Sequence, residues 1–196
     1  MNESAKPRFL LTLCLLAGLA ACTPPADPPL KGAKLGGAFT LTNQDGGTTK
    51  DTDFKGKYRL VYFGYTYCPD VCPVDLQQIG KALKAFEKEE PARAAKLQPI
   101  FISVDPERDT PAVLKEYVAT FHPRLIGLTG TKEQVADVAK RYGGYFAKAE
   151  RTGASGYLVD HTRVTLLFGP EGEPIVIVPQ EQGADAIEEQ LERWVK

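Results

Sequence analysis

The sequence predicts an α/β domain with a mixed central sheet, helices on both faces and an N-terminal β-hairpin. Three observations predict it. Short runs of β-forming residues alternate with amphipathic helical stretches, the pattern of a sheet with crossover helices. Arg59–Gly64 and Gln98–Val104 are nearly continuous apolar runs, as strands covered on both faces are. Two late strands bracket Gly169-Pro-Glu-Gly-Glu173, which reads as a hairpin turn.

The elements follow in order. Ala38–Thr42 alternates as a strand, Asn43–Gly47 is a turn cluster, and Thr48 starts a return strand. The buried strand Arg59–Gly64 leads into a segment with two cysteines. A helix follows, with Leu76, Ile79, Leu83 and Phe86 at three- and four-residue spacing. After the strand Gln98–Val104, Thr110-Pro111 is an N-cap followed by Pro at the first helical position. The helix they open carries Val113, Leu114, Tyr117, Val118 and Phe121 on one face. Leu125–Leu128 is a short strand. Thr131 with Gln134 forms a capping box for a helix striped by Val135, Val138 and Tyr142 and stopped by Gly143. Gly156–Asp160 leads to the strands Val164–Phe168 and Pro174–Val178, and Ile187, Leu191 and Trp194 mark a last helix. This order fits a thioredoxin-like fold with insertions.

The chain has 196 residues, enough for one ordinary domain and a short appendage. A net charge of −1 and no basic cluster exclude a nucleic-acid footprint. At the N-terminus, Lys6 and Arg8 precede the apolar run Phe9–Ala21. That run is shorter than the about 20 residues of a membrane-spanning helix and suits a signal peptide. It ends Leu19-Ala20-Ala21-Cys22, which resembles a bacterial lipoprotein lipobox. The resemblance implies cleavage before Cys22, lipidation of Cys22 and a lipid-anchored place on the outer face of a bacterial cytoplasmic membrane. The alternatives are a plain signal peptide or an uncleaved anchor. The expected organisation is a signal peptide over 1–21, a Pro-rich tether over 22–34 and the domain over 35–196.

Four cysteines are present. With Cys14 in the signal and Cys22 under lipid, Cys68 and Cys72 remain in the folded part. In an export compartment such a pair is a disulfide, a redox couple or a metal site. On a regular helix, residues four apart hold their Cβ atoms about 5–6 Å from each other, too far for an unstrained disulfide. Pro69 and Pro73 argue against a regular helix through both cysteines. With Pro73 as the first helical residue, Cys72 falls near the N-cap and Cys68 on the preceding loop. The helix N-terminus should then depress the Cys72 pKa. Thiolates serve both soft-metal binding and disulfide exchange, so the spacing leaves both open. A peroxidase would need Thr three positions before its cysteine, whereas Thr66 stands two before Cys68.

Tyr62-Phe-Gly-Tyr-Thr-Tyr-Cys-Pro-Asp-Val-Cys-Pro73 resembles the Sco/SenC family of copper-handling proteins. Phe101-Ile-Ser-Val-Asp-Pro-Glu-Arg-Asp-Thr-Pro111 and Tyr157-Leu-Val-Asp-His161 match two further motifs of that family in the same order. The resemblance implies a thioredoxin-like domain binding copper, as Cu(I), Cu(II) or both, through Cys68, Cys72 and His161. It also implies a role in building the dinuclear copper centre of cytochrome c oxidase, with that enzyme's subunit II or another copper chaperone as partner. The alternative is a thiol–disulfide oxidoreductase using Cys68 and Cys72 as its redox pair on the oxidase cysteines. Asp160 matches the family's Asp before the His, and orients His161 or serves only as a turn carboxylate. His122 stands where the family often has an acidic residue, and reads as a spare ligand or, beside Pro123, as an exposed charge at a helix end. Asp105–Asp109 reads as a docking surface or a solvated loop. Tyr65 and Tyr67 shield the thiols or serve only as strand formers.

Overall fold

The computed structural model describes residues 27–153 and 156–196. The expected signal peptide, Cys14, Cys22 and the first part of the tether lie outside the described residues. The chain forms β1 (Thr40–Asn43), β2 (Thr48–Lys50), β3 (Tyr58–Gly64), α1 (Val71–Glu89), α2 (Pro91–Ala94), β4 (Leu97–Ser103) and α3 (Pro111–Ala119). It continues through β5 (Ile126–Thr129), α4 (Lys132–Arg141), β6 (Phe146–Gly153), β7 (Gly156–His161), β8 (Thr165–Phe168), β9 (Pro174–Val178) and α5 (Ala184–Trp194).

The main sheet has the order β2-β1-β5-β4-β3-β8-β9. β3, β4 and β5 run parallel, and β8 adds to β3 antiparallel. This is the mixed sheet of a thioredoxin-like fold. β1 and β2 form the expected N-terminal hairpin, with the turn held by Asn43, whose Oδ1 accepts from the amides of Asp45 and Gly47.

Alternation along β3 divides the core. Tyr62 points to the face of α1, where its hydroxyl donates to Asp75. Phe63 points to the other face and meets Tyr142 at the end of α4, ring centroids 5.8 Å apart. Phe101 of β4 joins the first face, between Tyr62 and Tyr117 of α3. Thr110 and Thr131 cap α3 and α4 as their sequence pattern predicts.

Three local expectations are changed. Residues 30–36, expected mostly as tether, lie against the domain: the Leu30 amide donates to the Ile175 carbonyl at 3.0 Å, its side chain packs on the core, and the Gly36 amide donates to Arg141. Helix α1 starts at Val71, two residues before Pro73. Proline is accommodated there because the first four amides of a helix have no intrahelical partner, so no hydrogen bond is lost. A strand also forms at Phe146–Gly153, paired antiparallel with β7 in a separate two-stranded sheet.

Gly80 decides how closely α1 approaches the segment after α3. A Cβ there would lie 2.6 Å from the Phe121 carbonyl oxygen. Helix propensity alone favours Ala over Gly by about 1 kcal/mol. The clash is with backbone, which cannot swing aside, and overpacking typically costs about 1–3 kcal/mol. Gly80→Ala should therefore lower the urea midpoint without changing the slope of the transition. A raised midpoint would show that propensity wins.

Candidate metal centre

The site stands at the carboxyl end of β3, where α/β sheets place their chemistry. Gly64 closes the strand, and a Cβ at this position would come within 3.0 Å of the Cys72 sulfur. Glycine therefore leaves the space in which that sulfur sits. Cys72 is fully buried in the first turn of α1, and Cys68 is half-buried on the loop before it. Both thiols are free. The Cys72 amide donates to the Cys68 sulfur at 3.5 Å.

His161 arrives from the end of β7. Its Nε2 lies 3.3 Å from the Cys72 sulfur, and its Nδ1 lies 3.2 Å from the Thr162 carbonyl oxygen. A carbonyl accepts only, so Nδ1 donates to it and Nε2 is turned toward the sulfurs. The two sulfurs and an imidazole nitrogen lie within 4.8 Å of one another. Tyr65 supports the imidazole edge-on with ring centroids 5.8 Å apart, and its hydroxyl accepts the Val159 amide. Tyr65 is buried and Tyr67 is exposed, so shielding falls to Tyr65. A cleft of about 400 Å³ lined by Cys68, Pro69, Asp70, Leu158, Asp160 and His161 opens onto the site. Asp160 precedes His161 on a strand, so the two side chains leave opposite faces, and the ring's second nitrogen goes to Thr162 instead.

The electrostatics reverse one expectation. Cys68, not Cys72, is the low-pKa thiol, pulled down to about 4. The largest cause is the hydrogen bond from the Cys72 thiol; burial opposes it, and His161 and the amides of Asp70 and Cys72 assist. Cys72 is pushed up by that same hydrogen bond and by its own burial. The helix N-terminus acts through its amides, and the sulfur they reach belongs to the loop cysteine. Burial also raises the Tyr62 phenol, which stays neutral beside Cys72.

Three buried carboxylates bind the loops of the site together. Asp75 on α1 accepts from Tyr62 at 3.0 Å and from Arg163, two residues beyond His161, at 2.7 and 2.5 Å. Asp109 is fully buried and accepts from the Thr66 amide, the Thr66 hydroxyl and the Ser103 hydroxyl. Burial raises its pKa while those donors oppose the rise. Asp105, 3% exposed, accepts from Arg108 at 2.5 Å and from the Tyr157 hydroxyl at 2.6 Å, and the Arg108 guanidinium stacks over Tyr157 at 3.7 Å. Asp109 thus ties the thiol loop to the end of β4 and Asp105 ties its own loop to β7, so these two carboxylates are internal struts, while Glu107 between them is exposed. Burial is affordable because each carboxylate collects several donors. Asp75 was missed in the sequence, although a carboxylate set among the apolar positions Cys72, Leu76 and Ile79 is the signal that could have found it.

His122 is also corrected: it is 1% exposed, not a surface charge. Its Nδ1 accepts the Arg124 amide, and burial lowers its pKa against the pull of Glu87, 3.4 Å away. It lies outside the group formed by Cys68, Cys72 and His161.

Comparison with known proteins follows the same residues. The family model SCO1/SenC matches residues 27–196. The chain is 40% identical over 166 residues to Protein SCO2, mitochondrial, of Saccharomyces cerevisiae, covering 82% of this chain and 54% of that protein. It is 43% identical over 139 residues to Protein SCO1 homolog, mitochondrial, of Homo sapiens, covering 71% and 46%. The chain thus spans about half the length of these curated relatives. It is similar to the crystal structure of Arabidopsis thaliana ScoI with copper bound, at a TM-score of 0.75 and 38% identity, covering 81% of this chain and 97% of that one. The mitochondrial relatives overturn the expected lipid-anchored place on the outer face of a bacterial cytoplasmic membrane. Among the described residues no helix is long and apolar enough to cross a membrane.

Proposed function

Because the chain belongs to the SCO1/SenC family, we propose that it is a metallochaperone that binds copper as cargo and helps assemble the dinuclear copper centre of cytochrome c oxidase. The observation that carries this reading is the meeting of two thiols and one imidazole from separate elements within 4.8 Å. The donor set fits the metal: soft thiolates favour Cu(I), and imidazole suits copper in either oxidation state. Cys68, Cys72 and His161 would hold the ion. A half-buried Cys68 beside an open cleft gives a recipient's ligands access to displace it.

Loading also needs a reduced pair, and here the protein's own groups act. The Cys68 sulfur is held as thiolate by the Cys72 thiol, His161 and two amides. The Cys72 proton leaves as the ion binds, since only the thiolate is a strong ligand. Thr162 holds the His161 ring with Nε2 facing the sulfurs. The same low-pKa, accessible thiolate supports a second reading, disulfide reduction. Cys68 would attack a partner disulfide, Cys72 would close on Cys68, and the partner would leave with both thiols reduced.

One titration separates the two. The purified, reduced protein should take up about one copper per chain, on the single-site reading. Cys68→Ser, Cys72→Ser and His161→Ala should each lose most of it, measured as metal retained after desalting. Undiminished binding by His161→Ala would remove the three-ligand site. A wild type that held no copper and reduced disulfides would establish the second reading instead.

A further inference from the structure

The start of β3 carries a charge that the thiol site does not use. Arg59 is only 5% exposed. Its cross-strand partner is Phe168, and its guanidinium carbon lies 5.4 Å from the centroid of that ring. This contact offers the cation a π face but no acceptor for its N–H groups. Arg108, Arg124 and Arg163 are each paired with a carboxylate. Among the described residues no carboxylate lies within 4 Å of the Arg59 guanidinium, and no acceptor takes a hydrogen bond from it. Its nitrogens meet the adjoining cavity rather than a protein acceptor, and its planar fork is shaped for a carboxylate.

Arg59 lines a cavity of about 330 Å³ together with Asp51, Phe54, Lys55, Pro170 and Glu171. Gly172 borders it as well. A Cβ at Gly172 would lie 2.8 Å from a terminal nitrogen of Arg59, so glycine there keeps that nitrogen accessible. We propose that this cavity binds a small monoanionic carboxylate, with the Arg59 guanidinium gripping both oxygens. Lys55 adds a second cation at the wall. Asp51 and Glu171 oppose a second negative charge, which selects a monoanion over phosphate. Phe54 and Pro170 give an apolar stem a surface to rest on. The cavity lies five residues from Gly64 along β3, about 16 Å at strand rise, so it is separate from the thiols.

The carboxylate has two possible sources, a free small acid or the C-terminus of a peptide. The test is a titration of the ¹⁵N-labelled full chain, following the Arg59 side-chain Nε–H signal. Sodium benzoate represents the free acid, acetyl-glycyl-glycine the peptide terminus, its amide the uncharged control and inorganic phosphate the dianion. Benzoate should shift the signal saturably at millimolar concentration, and the amide should not. A parallel response to acetyl-glycyl-glycine assigns the site to peptide termini too, and its absence assigns it to free acids. Arg59→Met should abolish the benzoate-induced shifts of neighbouring backbone amides. Glu171→Gln removes one negative charge from the cavity lining and should tighten benzoate binding roughly threefold, the size of a partly screened surface charge effect. The proposal is overturned by the absence of saturation with both acids, by an equal amide response in Arg59→Met, by phosphate binding as tightly as benzoate, or by unchanged affinity in Glu171→Gln.

Discussion

Alkylation of the reduced protein by iodoacetamide should proceed at a nearly constant rate from pH 8 to about pH 5 and fall only near pH 4, where the Cys68 thiol titrates. The sign follows from the direction of the shift. The thiolate reacts, and a lowered pKa keeps Cys68 ionised to lower pH. An unperturbed thiol, with a pKa of about 8.5, is only roughly 0.03% thiolate at pH 5, so its rate would fall about 3,000-fold below its own plateau. Absolute rates are a weaker measure. Nucleophilicity falls with pKa at a slope near 0.45, which lowers the Cys68 plateau by about 100-fold. The position of the inflection is therefore the quantity to read. Cys72→Ala removes the largest cause of the shift and should move the inflection well upward; His161→Ala should move it less. A wild-type inflection between pH 8 and 9, or one that Cys72→Ala leaves in place, would contradict the assignment of the thiolate to Cys68.

Asp75→Ala should cost about 2–3 kcal/mol of stability, which lowers Tm by roughly 4–12 °C for a domain of this size. Breaking a fully buried pair costs about 3–5 kcal/mol, because the remaining charge is stranded. Asp75 is fully buried, but the Arg163 side chain is 37% exposed and can turn to water, so the lower figure applies. Tyr62, with no such route, is left with a buried hydroxyl lacking its acceptor. The substitution also frees the segment after β7 from α1, so His161 loses its anchor relative to Cys72. Copper should then dissociate faster even where the fold survives. Asp75→Asn, which keeps an acceptor for Tyr62, should recover part of the stability. Thermal denaturation and copper off-rate measured on both variants check this. A Tm for Asp75→Ala within 1 °C of wild type would show that this buried pair adds nothing net.

Much of the fold was legible because its signals are local. β3 and β4 are apolar runs, α3 and α4 carry their own caps, and the turn at Gly169–Glu173 has its own residues. β6 was not legible. Phe146-Ala-Lys-Ala-Glu150 is rich in helix formers, and its strand conformation comes from pairing with β7. The start of α1 was misplaced because proline was read as a first helical residue, although the whole first turn of a helix lacks amide partners and admits it.

The site divides the same way. The sequence alone determined that two thiols would stand at the junction of a central strand and a helix, because that depends on residues within a dozen positions of one another. It also carried His161, through the family's motif. Only the tertiary structure decided which sulfur holds the charge, since the Cys72 thiol and the amides of Asp70 and Cys72 reach the loop cysteine. It alone decided that Asp75 grips Arg163 across 88 positions, that Asp105 and Asp109 are struts, and that His122 is interior. Each of those outcomes depends on partners brought together by packing, and spacing along the chain does not encode them.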